Sequence, residues 1–283
     1  MADVDLRPMT LGEVLDRTFK LYKNNFWLFV GITALPFLVL LFIRMATAAL
    51  QTASAGVAGS PPSGSSLGFL FGVIAGALVV GLFYLLLVGA AQAATVFAVS
   101  DLYLGRPASV REAYSRVGTK ALRVLLILFL VSLTVGVGFL LLIIPGFILL
   151  SRTAISVPAS MLEDSKAIRS IERSMELTKG HAMQVFLIFL LVWVLSYAVA
   201  LVFQVPFVYL AEVAAKSHQS LSFGTLVLQN LSTFLSEVLI APIGTIAFSL
   251  MYYNLRVRKE AFDIQHLMAS LGTGAAPGAP SIV

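Results

Sequence analysis

Residues 106–144 read RPASVREAYSRVGTKALRVLLILFLVSLTVGVGFLLLII, a short basic segment followed by an apolar run without a charged residue. The first 18 of these residues include five Lys or Arg side chains, and the next 21 include none. About 20 consecutive apolar residues are enough for a helix to cross the hydrocarbon core of a bilayer. The stretch therefore predicts a membrane span that begins beside a basic surface segment.

The same alternation extends along the chain. Its 19 Lys and Arg residues lie in segments 7–23, 106–123, 166–179 and 256–259, apart from Arg44, Arg152 and Lys216. Short segments rich in Lys and Arg stay in the cytoplasm because positive charge resists translocation. The pattern predicts an all-α integral membrane bundle of about six transmembrane helices in three hairpins. Each hairpin is preceded by a cytoplasmic amphipathic helix, and both termini are cytoplasmic.

Composition supports this fold class. Hydrophobic residues make up 59% of the chain and charged residues 12%, with a mean hydropathy of +0.94, whereas ordinary soluble domains are about 25% charged. The net charge of +5 lies beside apolar runs, where it favours anionic lipid headgroups, so we expect no nucleic-acid partner. The chain has no cysteine, which excludes disulfides and thiolate metal sites.

The apolar runs place the six spans at 26–50, 68–100, 124–144, 147–162, 181–210 and 234–254. The fourth run has only 16 residues, about 24 Å of helix, so it either thins the bilayer or belongs to a partly re-entrant hairpin. Residues 220–233 are predicted to form an external interfacial segment. Residues 1–270 form one membrane domain in this interpretation, and 271–283 form a disordered tail.

Three local signals refine the prediction. Thr10 and Glu13 have the spacing of a capping box that starts a helix. Pro145-Gly146 is a strong turn signal after the third span. Gly68, Gly72 and Gly76 leave one face of the second span without side chains, either for close packing within the chain, which we favour, or for a dimer.

Four short motifs carry a resemblance to a known family: LRPMTLGEVLD at 6–16, IIPG at 143–146, SMELTKG at 174–180 and YYNLRVRKEAFD at 252–263. With these motifs the chain resembles bacterial membrane proteins grouped with the membrane domain of glycerophosphoryl diester phosphodiesterase. In some members of that family, the resemblance implies, a separate soluble barrel performs hydrolysis. Only 20 residues follow the last motif here, so we expect a stand-alone membrane domain without the catalytic barrel.

No catalytic residue, cofactor or metal site is predicted. A metal-assisted phosphodiesterase needs clustered carboxylates and histidines, but His181, His218 and His266 are widely separated. The sequence also lacks HExxH, GxSxG and phosphate-binding loop motifs. We therefore expect a non-enzymatic protein.

Four polar residues are predicted in the outer third of the membrane: Arg44, Arg152, Gln204 and Glu237. Ionisable residues at this depth are costly and normally face the protein interior, water or a partner. We expect Glu237 to pair with Arg152. The alternatives are a structural pair, a net-positive cavity for an anionic headgroup, or proton coupling through Glu237, with Pro242 and Gly244 either breaking or kinking the last span.

Five cations mark a second candidate site at the inner surface: Arg106, Arg111, Arg116, Lys120 and Arg123. They either contact anionic lipid phosphates or reflect ordinary positive-inside bias. The sequence favours an accessory or organising protein of a bacterial inner membrane, with lipids and a membrane protein as partners. The alternative is a transporter or lipid-handling protein, and the oligomeric state stays open.

Overall fold

The computed structural model describes residues 8–55, 67–216 and 223–260. All regular secondary structure in these ranges is helical. The helices are α1 (Leu11–Asn24), α2 (Phe26–Ala55), α3 (Leu67–Tyr103), α4 (Val110–Val117), α5 (Ala121–Leu141), α6 (Ile143–Thr153), α7 (Ser156–Glu163), α8 (Ala167–Thr178), α9 (Ala182–Lys216) and α10 (Phe223–Glu260), with a 3-10 turn at Gly118–Lys120.

Six helical stretches of the described residues are long and apolar enough to cross a membrane. They are Phe26–Leu50, Leu70–Tyr103, Val110–Leu141, Ile143–Glu163, Ala182–Ala214 and Phe223–Glu260. Large apolar side chains such as Phe42, Leu140 and Val202 remain exposed on their surfaces. Hydrocarbon, unlike water, accommodates such a surface without cost. The chain is a multi-pass membrane protein, and the predicted number of spans is confirmed.

The three short helices that precede long ones lie at the same end of the bundle. Helix α1 packs on α10, α4 on α3, and α8 on α7 and α10. Tyr103 at the end of α3 stacks on Tyr253 of α10, with ring centroids 4.7 Å apart. We call this end, which carries α1, α4, α8 and residues 252–260, the basic end. The opposite end, where α3 and α10 begin, is the far end.

The connection after α5 differs from the prediction. The chain turns at Leu142, and Pro145 lies in the first turn of α6. Backbone N–H groups in the first turn of a helix have no carbonyl partner within that helix, so a proline there costs no hydrogen bond. Gly146 is needed for close packing, since a Cβ atom there would lie 2.5 Å from the Phe139 ring. Helices α6 and α7 are separated at Ala154 and Ile155, so the fourth span is a broken helix.

The last helix is longer than predicted, because residues 223–233 belong to α10 instead of a separate interfacial segment. Two of their polar side chains, Asn230 and Ser232, form hydrogen bonds within the bundle. Asn230 Nδ2 donates to the Leu226 carbonyl (2.8 Å), and Ser232 Oγ donates to the Phe203 carbonyl of α9 (2.6 Å). The helix also continues through Pro242.

The glycine stripe of α3 does not pack within the described part of the chain. A Cβ atom at Gly68, Gly72 or Gly76 would meet no atom within 4 Å. The favoured prediction of close intramolecular packing is therefore wrong for these residues. The predicted tail at 271–283 and the end of the predicted domain at 261–270 lie outside the described residues.

Candidate functional sites at the two ends of the bundle

The start of α1 is fixed by its own cap and by α10. Thr10 and Glu13 form the predicted capping box, with the Thr10 N–H donating to Glu13 Oε2 (2.6 Å). Asn254, buried in α10, accepts the Met9 N–H at Oδ1 (2.8 Å) and donates from Nδ2 to the Met9 carbonyl (3.1 Å). Arg258 Nη2 donates to the same carbonyl (2.7 Å). These contacts join the described start of the chain to the end of its last helix.

Beside these contacts, two arginines and two glutamates join α7, α8 and α10. Arg173 of α8 contacts both Glu163, at 3.0 Å, and Glu260. Arg256 Nε donates to Glu260 (3.1 Å), and the Tyr252 hydroxyl donates to Glu163 (2.9 Å). We call these five residues the basic-end network. Their two cations and two anions balance, so the network is a neutral joint between three helices.

The pKa of Arg173 shows how strongly the network holds its charges. Burial by itself lowers the pKa of this guanidinium, but its hydrogen bonds to Glu260 and Glu163 outweigh burial and raise it. The arginine therefore stays charged at any physiological pH, and the carboxylates are engaged by it. A network of this kind positions helices but offers no free acid or base.

Three of the five predicted inner-surface cations turn toward protein carboxylates. Arg116 bonds Asp101 (3.0 Å), and both Lys120 (3.0 Å) and Arg123 (2.7 Å) bond Asp164. The hydrogen bonds from Arg123 and Lys120 lower the pKa of Asp164. These pairs connect α3 to α4 and the start of α5 to the end of α7.

The other two predicted cations are free of such pairs. Arg106 and Arg111 are exposed, and neither forms an ion pair with a described residue. They flank the short connection between α3 and α4, at the rim of the basic end. Of the predicted inner-surface set, these two side chains are the ones free to contact phosphate.

At the far end, Glu237 pairs with Arg44 instead of Arg152. Arg44 Nη2 and Nη1 donate to the two oxygens of Glu237, at 2.8 and 3.0 Å. Both side chains are partly exposed, 31% for Arg44 and 27% for Glu237. The fork-shaped guanidinium satisfies both carboxylate oxygens, so the site is a neutral joint between α2 and α10.

Arg152 lies at the other end of the molecule, which corrects the predicted depth. Its Nη2 donates to the Met175 carbonyl of α8 (3.3 Å), and its own carbonyl accepts from Ser174 Oγ (2.7 Å). Arg152 lies in the last turn of α6, and its contacts with Met175 and Ser174 place it at the level of α8. It is therefore too far from Glu237 to pair with it.

Gln204, for which the sequence predicted no partner, contacts α10 near Glu237. Its Nε2 donates to Thr233 Oγ1 on α10 (2.7 Å). Thr233 precedes Glu237 by four residues and thus lies one helical turn away on the same helix. Arg44, Gln204 and Glu237 consequently form polar joints at the far end, while Arg152 does not take part.

A cavity of about 250 Å³ lies midway between the two ends. Residues of α3, α5, α9, α10 and the broken α6–α7 helix line it, and its polar lining residues are Gln92, Thr153, Ser156 and Thr245. Gln92 makes no hydrogen bond to any described residue. Of the two alternatives predicted at Pro242 and Gly244, a break or a kink, the break does not occur, because α10 continues through both residues; the helix that breaks beside the cavity is the fourth span. Sequence reasoning missed the cavity, although a glutamine within an apolar span was a usable signal.

Within the described residues, no three His, Cys, Asp or Glu side chains cluster in a way that could hold a metal ion. Comparison with protein-family models, curated proteins and solved structures gives no match to this chain. The resemblance to the glycerophosphoryl diester phosphodiesterase membrane domain therefore stays a prediction.

Proposed function

We propose that this chain is a non-enzymatic accessory or organising protein of a bacterial inner membrane that contacts anionic lipid with its basic end. In this proposal the basic end faces the cytoplasm, the spans form three hairpins, and each hairpin follows a surface helix. Both termini are then cytoplasmic. A membrane protein that docks on the same surface is compatible with this role.

One observation carries the proposal. The charged groups of the basic end divide into those that join helices and those that point outward. Glu163 and Glu260 are neutralised inside the bundle, whereas Arg106 and Arg111 are exposed without an ion pair among the described residues. Such cations attract anionic headgroups by about 1 kcal/mol each near a membrane surface.

The paired carboxylates favour a non-catalytic role, because each is already held by a cation of the protein. General acid–base chemistry requires a group that can exchange a proton with a bound substrate. At the basic end, the carboxylates of Glu163, Glu260, Asp101 and Asp164 are each held by an arginine or a lysine. At the far end Glu237 is held by Arg44.

A lipid-dependent thermal shift tests the proposal. The wild-type protein in mild detergent should gain more thermal stability from phosphatidylglycerol than from phosphatidylcholine. The double variant Arg106→Gln/Arg111→Gln should need roughly thirtyfold more phosphatidylglycerol for the same gain, because two near-surface cations of about 1 kcal/mol each are lost. Lys216→Gln, at the far end, is the matched control and should behave like wild type. An unchanged preference for phosphatidylglycerol in the double variant would contradict the proposal.

The cavity supports a second candidate, a lipid-handling protein or transporter. Such proteins place their binding sites near the bilayer midplane and often beside a discontinuous helix. Here the cavity lies between the two ends, next to the α6–α7 break, and not at Arg152 and Glu237. Because the chain contains no cysteine, Gln92→Cys gives a single labelling site. Modification of that thiol by a water-soluble reagent in membranes favours this candidate, and protection from the reagent argues against it.

A further inference from the structure

A groove runs along the surface between α6 and α9. Its volume is about 330 Å³, and its lining is almost entirely apolar: Ile144, Phe147, Ile148, Ser151, Ala182, Met183 and Phe186. Phe147 and Phe186 meet edge to face across it, with centroids 5.5 Å apart. The groove extends about 10 Å from Ser151 toward the far end, within the membrane-spanning part of both helices. Its surroundings are therefore lipid acyl chains.

Two nitrogen atoms without a hydrogen-bond partner belong to residues next in sequence to the lining residues Ser151 and Ala182, at the basic end of this groove. Among the described residues, Arg152 Nε and His181 Nδ1 are the buried side-chain nitrogen or oxygen atoms without a hydrogen-bond partner. Arg152 directly follows Ser151, and His181 directly precedes Ala182, so each adjoins a lining residue from a different helix. A buried donor without a partner is costly, more so on a cation. Two such atoms, each one residue away from the lining of the same groove, point to an acceptor that a bound molecule supplies there.

Cations predominate around this point, where the carboxylate that acts on Lys259 is the exposed Glu176. No carboxylate of the described residues forms an ion pair with Arg152, whose remaining contact is the 3.3 Å hydrogen bond to Met175. Lys259 Nζ lies close by and donates to the carbonyls of Glu176 (2.6 Å) and Lys179 (2.8 Å). Lys179 itself is exposed. An anion fits here, and the guanidinium fork is suited to the oxygens of a phosphate.

We infer that this groove binds one anionic glycerophospholipid from the leaflet at the basic end, with an acyl chain between α6 and α9 and the phosphate on Arg152 and His181. Phosphate oxygens supply the acceptors that Arg152 Nε and an N–H of His181 lack. A zwitterionic lipid adds a cationic group that the Arg152 guanidinium and the Lys259 ammonium repel. The inference rests on the proposed lipid interaction, but it assigns a stoichiometric site, distinct from the surface cations Arg106 and Arg111.

Native mass spectrometry of the protein in a 1:1 mixture of phosphatidylglycerol and phosphatidylcholine tests this site. Wild type should retain one phosphatidylglycerol per chain under conditions that strip other lipids. Arg152→Gln should lower the retained fraction at least fivefold, because it removes a permanent charge, and His181→Ala should lower it less, because the Arg152 guanidinium remains. Equal retention of both lipids by wild type, or none, would overturn the inference.

Two further variants keep the test decisive even where Arg152→Gln folds poorly. Met183→Trp fills the groove from a side chain that is 69% exposed, so the core is untouched, and it should also lower retention at least fivefold. Arg106→Gln/Arg111→Gln should retain the lipid as wild type does. Retention unaffected by Met183→Trp would overturn the site. Loss of the bound lipid in the Arg106 and Arg111 double variant would do so as well, because it would place the lipid on the surface cations.

Discussion

The Arg44–Glu237 pair offers a quantitative test of how the far end is held. The two hydrogen bonds are charge-assisted, and such bonds contribute about 1.5–3 kcal/mol each when buried. Both side chains keep about a quarter to a third of their surface exposed, so solvent weakens the pair, and we expect about 2 kcal/mol for the whole interaction. Glu237→Gln leaves the Arg44 cation unpaired at membrane depth, where it is costly.

We therefore expect Arg44→Gln and Glu237→Gln each to lower the free energy of unfolding by about 2 kcal/mol. The double variant should lose far less than the sum, because it removes both charges together, which gives a coupling energy of about 2 kcal/mol. Unfolding in mixed micelles, followed by circular dichroism, measures all four proteins. The exposed Lys216–Glu212 pair is the control and should show a coupling below about 0.5 kcal/mol. If the double variant loses the sum of the unfolding free energies lost by Arg44→Gln and Glu237→Gln, the two residues are not coupled and the predicted stabilisation by the pair is wrong.

Three further predictions concern the basic end and the α5–α6 contact. Asn254→Ala removes two hydrogen bonds to Met9, so the free energy of unfolding should fall by about 2 kcal/mol. Proteolysis should then release the segment before α1 first. Unchanged cleavage would show that these bonds do not hold that segment. Gly146→Ala drives a methyl group into the Phe139 ring and should destabilise by about 1–3 kcal/mol in the same unfolding assay, whereas Gly136→Ala, with open space around it, should not. Asp164 has a lowered pKa, so its contribution is present above its ordinary value of 3.8 and is lost as pH falls below it. The melting temperature of Asp164→Asn should accordingly lie below that of wild type at pH 7 and equal it in strong acid, and a constant difference across pH would refute this.

The long membrane-spanning helices could be predicted because each is encoded by a long apolar run of sequence. Runs of more than 20 apolar residues place spans reliably, and the Thr10–Glu13 spacing predicted a cap that depends only on neighbouring residues. The fourth predicted span, 147–162, corresponds to Ile143–Glu163, but no local signal predicted its break at Ala154 and Ile155. The sequence pattern at Pro145-Gly146 was a real signal, but proline fits equally well in the first turn of a helix.

Partners of the polar residues were harder to predict, since a partner depends on how each helix is rotated and where it turns. Glu237 had two candidate arginines at similar predicted depth, and the structure pairs it with Arg44, whereas Arg152 contacts α8. Likewise, Asn254 lies in a recognisable motif, yet its bonds to Met9 span 245 positions in the chain. No periodicity encodes a contact over that separation.

The orientation of the basic end is the claim on which the account depends, and single-cysteine labelling measures it directly. Because the chain has no native cysteine, Thr119→Cys at the basic end and Lys216→Cys at the far end each provide one reporter. In intact cells whose outer membrane has been made permeable, an impermeant thiol reagent should label Lys216→Cys and not Thr119→Cys, and inverted membrane vesicles should give the reverse. Labelling of Thr119→Cys from outside would place the cations on the periplasmic side and contradict the account.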